Sequence, residues 1–251
     1  MIIAQISDTH IVAKSAEDPE GPLRAENLSR CVADINRQGV DAVIHTGDSV
    51  HHGRADDYAH LCDIVDGLDA PFYLVPGNRD RHDVLRGAFD HHRHLPAEGN
   101  HLHYAIDDQP LRLIGLDSVD AGERKGVFCA ARRAWLDAML SERPDTPTVL
   151  FMHHPPFDIV PHFVGGYRRQ QEAHDLADLV SRHPQVVRLL CGHVHRQHRA
   201  PWGGTIAATM PSVAVDLRKG VDPAIGDAPL YALHDFSDPQ APVTHMQVVT
   251  H

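Results

Sequence analysis

Met1-Ile2-Ile3-Ala4-Gln5-Ile6-Ser7-Asp8-Thr9-His10 opens the chain, and its reading decides the fold. Ile2 to Ile6 reads as a strand, and Asp8 and His10 stand directly beyond its carboxyl end. The arrangement recurs four times. Ala42 to Ile44 precedes Gly47-Asp48, and Phe72 to Val75 precedes Gly77-Asn78-Arg79-Asp80. Val149 to Met152 precedes His153-His154-Pro155-Pro156. Val186 to Leu190, interrupted by Arg188, precedes Gly192-His193-Val194-His195. In open α/β sheets, ligands sit just beyond the carboxyl ends of strands. The pattern therefore aims two Asp, one Asn and four or five His at one sheet edge. Oxygen and imidazole donors without a thiolate suit zinc, manganese or iron rather than calcium or an iron–sulfur cluster.

Each motif alone has a plainer reading. Asp-x-His can be a capped turn, Gly-Asp and Gly-Asn can be turns with positive φ, and His-His-Pro-Pro can be a stiff loop. With 22 histidines, chance pairs are expected, and His51-His52 and His91-His92 read as solvated surface. His193 and His195 carry more, because residues i and i+2 of an extended stretch share a face. Five donor clusters after five strand-like runs, in one order, are what the turn readings leave unexplained.

A chain of 251 residues can form one large domain or two small ones and can bury most of its apolar surface. Its composition, 42% hydrophobic and 23% charged, is that of a globular protein. A net charge of -11 argues against general affinity for nucleic acid or anionic membrane, which need Lys and Arg on one face. A dimetal centre would still attract an anionic substrate locally. Cys31, Cys62, Cys129 and Cys191 lack metal or redox spacing and read as small buried hydrophobes. No run approaches the ~18 apolar residues of a membrane span. Removal of a leader of roughly 15–30 residues would delete Asp8 and His10. A cytoplasmic protein with reduced thiols is expected.

Strands alternate with helices through the first half. Ala25 to Gln38 places Leu28, Cys31, Val32 and Ile35 on one face, with Gly39 where a helix ends. Arg54 to Asp66 repeats the pattern with Tyr58, Leu61, Cys62 and Val65, and Arg81 to Phe89 forms a third helix. His101 to Ile106 and Leu111 to Leu116 read as a hairpin around Asp107-Asp108-Gln109-Pro110. Ala130 to Leu140 and Gln170 to Arg182 read as helices, the first with Trp135, Leu136, Met139 and Leu140 inward. A Pro- and Gly-rich loop spans Pro155 to Gly166. Thr205 to Thr209, Leu230 to His234 and Val243 to Val249 are short β runs. The expected organisation is one domain over residues 1–251. Residues 1–200 would carry the donors, and 201–251 would be a β-rich completion of the second sheet.

The order D-x-H, G-D, G-N-x-D, H-H-P-P, G-H-x-H resembles the calcineurin-like metallophosphoesterase superfamily. Within it the chain looks most like class III cyclic nucleotide phosphodiesterases and bacterial glycerophosphodiesterases. The resemblance runs from Met1 to about Arg196 and includes Gly126, Ala134-Trp135-Leu136 and the segment from His183-Pro184. It implies a four-layer αββα sandwich of two mixed β-sheets flanked by helices. It also implies two metal ions, manganese or iron ahead of zinc. Asp8, His10 and His195 would hold one; Asn78, His153 and His193 the other; Asp48 would bridge both. A carboxylate can span ions roughly 3.5–4 Å apart. Hydroxide bridging the metals would attack phosphorus in line. Asn78, Arg79 and His154 would stand at the substrate, His154 beside the donors.

One departure matters. The family usually has G-N-H-D, whose His contacts the phosphate or protonates the leaving group; here the position is Arg79. Arginine is a poor general acid but a good bidentate clamp for phosphate oxygens. With Asp48, Arg79 is the expected catalytic residue, and the leaving oxygen would take its proton from water or a nearby His. UDP-2,3-diacylglucosamine hydrolases share G-N-R-D, but this chain lacks their H-G-D segment. The expected substrate is a small phosphodiester, either a cyclic nucleotide or a glycerophosphodiester. A phosphomonoesterase, a diacylglucosamine-hydrolase-like pyrophosphatase and a non-catalytic scaffold stand as alternatives. Neither a nucleic-acid polymer nor a membrane is expected as partner; a homodimer is compatible. Specificity would come from loops near Val50 to Arg54, Val119 to Lys125 and Phe157 to Tyr167.

Overall fold

A computed structural model describes residues 1–92 and 94–250. β1 (Ile2–Ile6), α1 (Gly21–Gln38), β2 (Ala42–His45), α2 (Ala55–Val65), β3 (Phe72–Leu74) and α3 (His82–Ala88) come first. The hairpin β4 (Tyr104–Ile106) and β5 (Arg112–Leu116) follows, then α4 (Ala130–Glu142), β6 (Thr148–Met152), α5 (Gln170–Ser181) and β7 (Val186–Cys191). β8 (His198–Trp202), β9 (Thr205–Thr209), β10 (Leu230–Asp235) and β11 (Val243–Val248) complete the chain. α1 starts four residues earlier than its apolar period indicates. Pro22 sits in its first turn, where a missing N–H costs nothing. It stops at Gly39, whose left-handed φ of 62° terminates the helix without a side-chain clash.

The strands form two mixed sheets, β11-β10-β1-β2-β3 and β4-β5-β6-β7-β9-β8. β1, β2 and β3 run parallel, as do β5, β6, β7 and β9. Parallel pairing brings carboxyl ends together, so each sheet delivers its motifs to one end. Along β6, Val149 and Phe151 join one apolar cluster and Leu150 and Met152 the other, the period of two for a strand buried on both faces. The first cluster includes Leu28, Ile35, Tyr58 and Leu61 of α1 and α2, with inward residues of both sheets. The second joins the outer face of the six-stranded sheet to Leu136, Leu140 and Leu176 of α4 and α5. The layers are therefore helix, sheet, sheet, helix.

The expectation for residues 201–251 needs correction. Of the strands there, β9 and the end of β8 extend the six-stranded sheet, whereas β10 pairs with β1 in the other and β11 pairs with β10 at its edge. Antiparallel pairing of Ile2 with Asp235 draws β10 back to the first strand. β8 has no counterpart in the sequence reading. It carries Pro201, and it lies on the sheet edge, where a missing donor is tolerated.

Candidate metal centre

Five of the seven expected metal donors hold a backbone conformation that their residue types rarely adopt. Asp8, His10, Asp48, His193 and His195 have φ of 53°, 47°, 52°, 72° and 55°. They are the only non-glycine residues with positive φ among the described residues. Such conformations cost about 1–3 kcal/mol each and persist where the surroundings over-determine them. Here the sheets do so. Asp8 N–H donates to Gly47 O at 3.0 Å and His10 N–H to Asp48 O at 3.1 Å, carrying the β1–β2 pairing into the loops. Gly192 N–H donates to His153 O at 3.1 Å and does the same beyond β6 and β7. Two glycines let the loops close up. A Cβ on Gly77 would collide with Asp48, and one on Gly192 with Ser7 and Asp8.

The donors gather in two groups around Asp48. Donor atoms of Asp8, His10, Asp48 and His195 lie within 4.8 Å of one another. Those of His153, His154 and His193 form a second such group. His153 Nε2 is 3.3 Å from Asn78 Oδ1 and 3.2 Å from His193 Nδ1. Asp48 faces both groups, with Oδ2 3.7 Å from His10 Nε2 and Oδ1 3.5 Å from His153 Nε2.

This donor set fits cations. His153 Nδ1–H donates to Thr46 O at 2.7 Å, so Nε2 offers a bare lone pair. That lone pair looks at Asn78 Oδ1, Asp48 Oδ1 and His193 Nδ1, a concentration of acceptors without a donor. Both ring nitrogens of His10 are buried and unpartnered. Unsatisfied buried polar atoms are costly, and one metal ion in each donor group would take the His153 lone pair and one ring nitrogen of His10.

The charges agree. Burial pushes the Asp48 carboxyl up to about 7, eased by His153 and reinforced by Asp8 and Asp80. Burial acts the same way on Asp8, but His195 beside it outweighs burial and holds the carboxyl well below the usual range. His195 is raised in turn: burial disfavours its charge, and Asp8, with Oδ1 3.2 Å from Nε2, overrides it. Without metal, protons compensate the carboxylates. Burial lowers His10 well below its ordinary value and His193 to about 3, keeping both imidazoles neutral and able to ligate.

Several supporting residues were not legible in the sequence. Asp80 makes no pair with Arg79. It accepts from Ser49 Oγ at 2.6 Å, Gly77 N at 2.8 Å, Tyr58 Oη at 3.0 Å and Ser49 N at 3.1 Å. It thus ties the Asp48 loop to the Asn78 loop. His45, one residue past the apolar run, accepts from Gly47 N at 3.1 Å and donates through Nε2 to Thr9 Oγ1 at 2.9 Å. Burial lowers it to about 4, so it stays a neutral strut. His195 Nδ1–H donates to Leu217 O at 3.1 Å. The neighbouring Asp216 is held at 2.7 Å by buried Arg24, which anchors that turn to α1. His51, read as surface, packs against His10 with ring centroids 5.4 Å apart. The only signals were fixed spacing for Asp80 and a histidine ending an apolar strand for His45.

His154 lies behind the donors. It is fully buried, with Nδ1 2.9 Å from Ser118 Oγ and Nε2 3.2 Å from Arg124 O, so both nitrogens are engaged away from the opening. Arg79 anchors itself through its backbone, whose N–H donates to Asp48 Oδ1 at 2.7 Å. Its guanidinium has no ion-pair partner among the described residues and lines a cleft of about 630 Å³ with Asn78, His82, His101 and Asp120. Of the three loops expected to set specificity, the one at Val119 borders this cleft.

The sequence profile of the calcineurin-like phosphoesterase family matches residues 1–197, a span that holds all seven donors. The chain is 36% identical to a probable glycerophosphodiester phosphodiesterase, GpdQ, of Arcobacter nitrofigilis, over 99% of this chain and 93% of that protein. It is 32% identical to a probable cyclic nucleotide phosphodiesterase of Rhodopseudomonas palustris, over 79% of this chain and 73% of that protein. In fold it is similar to a dimetal phosphatase from Danio rerio, with a TM-score of 0.68 and 17% identity over 97% of this chain and 98% of that one. A profile match through every donor loop and a relative aligned along nearly the whole chain agree with the geometry: the protein belongs to the calcineurin-like phosphoesterase family.

Proposed function

We propose that this metal-dependent phosphodiesterase hydrolyses a small phosphodiester, a glycerophosphodiester ahead of a cyclic nucleotide. The observation that carries the reading is the convergence of four strained donors, with Asn78 and His153, around a fifth, the carboxylate of Asp48. The relative aligned over 99% of the chain bears a probable glycerophosphodiesterase name, which supports placing that substrate first. Asp8, His10 and His195 would hold one metal ion, Asn78, His153 and His193 the other, with Asp48 between. Manganese or iron suits this oxygen and imidazole set. Bound there, two metal ions supply charge neutralisation and a water nucleophile of lowered pKa.

The chain's own residues supply orientation. Asp48 accepts the Arg79 N–H and fixes where the arginine leaves the backbone. The unpaired guanidinium then clamps the non-bridging oxygens, as its planar fork suits phosphate. A diester bears one negative charge and leaves room for one such clamp. His154, locked by Ser118 and Arg124, buttresses His153 and His193. Among the described residues no helix is long and apolar enough to cross a membrane. The four cysteines are free, and a reducing cytoplasm is the compartment the thiols favour.

The test is a hydrolysis panel with Mn²⁺: glycerophosphodiesters, cyclic AMP, bis(p-nitrophenyl) phosphate and p-nitrophenyl phosphate. The bis-ester should exceed the monoester in kcat/KM, and glycerophosphodiesters should exceed cyclic AMP. A faster monoester would overturn the diesterase reading.

A further inference from the structure

Arg79 stays charged at working pH and gives up no proton, so the alcohol leaving a phosphodiester needs another donor. The cleft that Arg79 lines contains one. His82 opens α3 and shares the cleft wall with Asn78 and Arg79. Its Nε2 is 2.7 Å from Asp117 Oδ2. The His82 side chain is 22% exposed, whereas that of Asp117 is 0% exposed. Asp117 also accepts the backbone N–H of Leu102 at 3.0 Å and of Val119 at 2.9 Å. A carboxylate so engaged is an acceptor, so Nε2 carries the donated hydrogen. Nδ1 has no hydrogen-bond partner among the described residues and is not one of the buried unpartnered atoms. Histidine oriented by a buried carboxylate is a recurrent acid–base device.

We propose that His82 is the general acid that protonates the leaving oxygen, with Asp117 as its positioning residue. The proposal rests on the phosphodiesterase reading. As the attacking water oxygen, having lost a proton to solvent, bonds to phosphorus, the bond from phosphorus to the leaving oxygen breaks. That oxygen keeps the electron pair. The Nδ1 proton of the His82 imidazolium moves to it, and a neutral alcohol departs. Neutral His82 regains a proton from solvent.

The groups around His82 are consistent with this role. Asp117 faces it from just beyond β5, Arg86 and Asp83 lie on its own helix, and Arg79, Asp80, Arg81, His101, Asp120 and Arg132 line the same cleft. Burial disfavours the imidazolium, as do Arg132 and Arg86, but the Asp117 hydrogen bond and charge prevail and raise the pKa above the ordinary histidine value. A shift in that direction favours the protonated ring that acid catalysis needs. His101 differs: burial and then Arg132 lower it, so it remains neutral.

The experiment measures kcat/KM of Mn²⁺-loaded wild type, His82→Gln and Asp117→Asn on diesters with p-nitrophenol or alkyl leaving groups. His82→Gln should lose about 10²–10⁴-fold with alkyl leaving groups, the scale of general acid catalysis, and under about 10-fold with p-nitrophenol. The alkaline limb of the wild-type pH profile should vanish in His82→Gln and move to lower pH in Asp117→Asn. NMR titration of the His82 ring, without turnover, should show its pKa fall in Asp117→Asn. Equal losses on both leaving groups, with wild type active, would overturn the acid and leave the diesterase reading intact. A wild type inactive on every diester would overturn both. If His82→Gln does not fold, the pH limb and ring pKa of Asp117→Asn decide: an unmoved limb and ring refute the proposal.

Discussion

The donor rim and the cleft wall are built by opposite means. In the rim, each donor follows its strand within a few residues, and hydrogen bonds from Asp8 to Gly47 and from Gly192 to His153 simply prolong sheet pairing. In the wall, His82 meets Asp117 from 35 residues away, and Arg132 and His101 reach in from other segments. The rim is nearly sealed: Asp8, His10, Asp48 and His153 are all buried. The wall is open. The contrast separates two tasks. Holding metal needs fixed donors in little water, whereas choosing and protonating a substrate needs side chains that a substrate can reach.

The hardest blow to the rim should be Asp48→Ala, since Asp48 alone faces both donor groups. Loss in kcat/KM should exceed the about 10²–10³ typical of one preorganised donor, and metal content after dialysis should fall below that of any other single-donor variant. Retention of both ions with near-normal rates would break the bridging role. Arg79→Ala should lower kcat/KM by about 10²–10³, equally for good and poor leaving groups and without altering either pH limb. A loss that grows with leaving-group basicity would move the proton donor from His82 to position 79 and erase the division within the wall.

Asp80→Ala tests whether the rim depends on a residue that holds no metal. It strands donors at Ser49 and Gly77 and should cost about 2–3 kcal/mol in chemical denaturation. Metal affinity measured by calorimetry should weaken about 10–100-fold, the scale for groups that orient ligands. The smallest effect is a pH signature of the metal-free protein. Burial raises Asp48 from the ordinary carboxyl value of 3.8 to about 7. Its contribution to stability is therefore present below about pH 4 and lost as pH rises through about 7. Asp48→Asn does not titrate, so its Tm should gain on wild type by a few degrees across that window. Manganese should close the gap by stabilising wild type alone. A gap that stays flat with pH would show that the rim's charges are balanced without metal.

Legibility followed the same division. Asp8, His10, Asp48, Asn78, His153, His193 and His195 could be read because short motifs after apolar runs are local objects, and the structure gathers all seven. The helices were readable from their period, with α1 shifted by the tolerance of Pro22 in its first turn. His82 and Asp117 could not be paired, since nothing local links a helix-opening histidine to a strand-end aspartate. His51 was misread because its ring contact with His10 depends on how two loops stack. The C-terminal strands were legible as strands, but their division between sheets depends on pairing with β1 and β7, far away in sequence.

The five left-handed donors set folding against chemistry in a way that bears on how such a chain can change. Relaxing any of them to glycine would remove a steric penalty and favour the fold. It would also delete a proposed metal donor. At most positions, selection for a sturdier protein and for a working one point the same way; at Asp8, His10, Asp48, His193 and His195 they point apart. Substitutions that harden this protein are therefore to be sought far from the strand ends. A descendant that abandoned catalysis would be expected to lose these five residues first, with a gain in thermal stability as the trace of the lost activity.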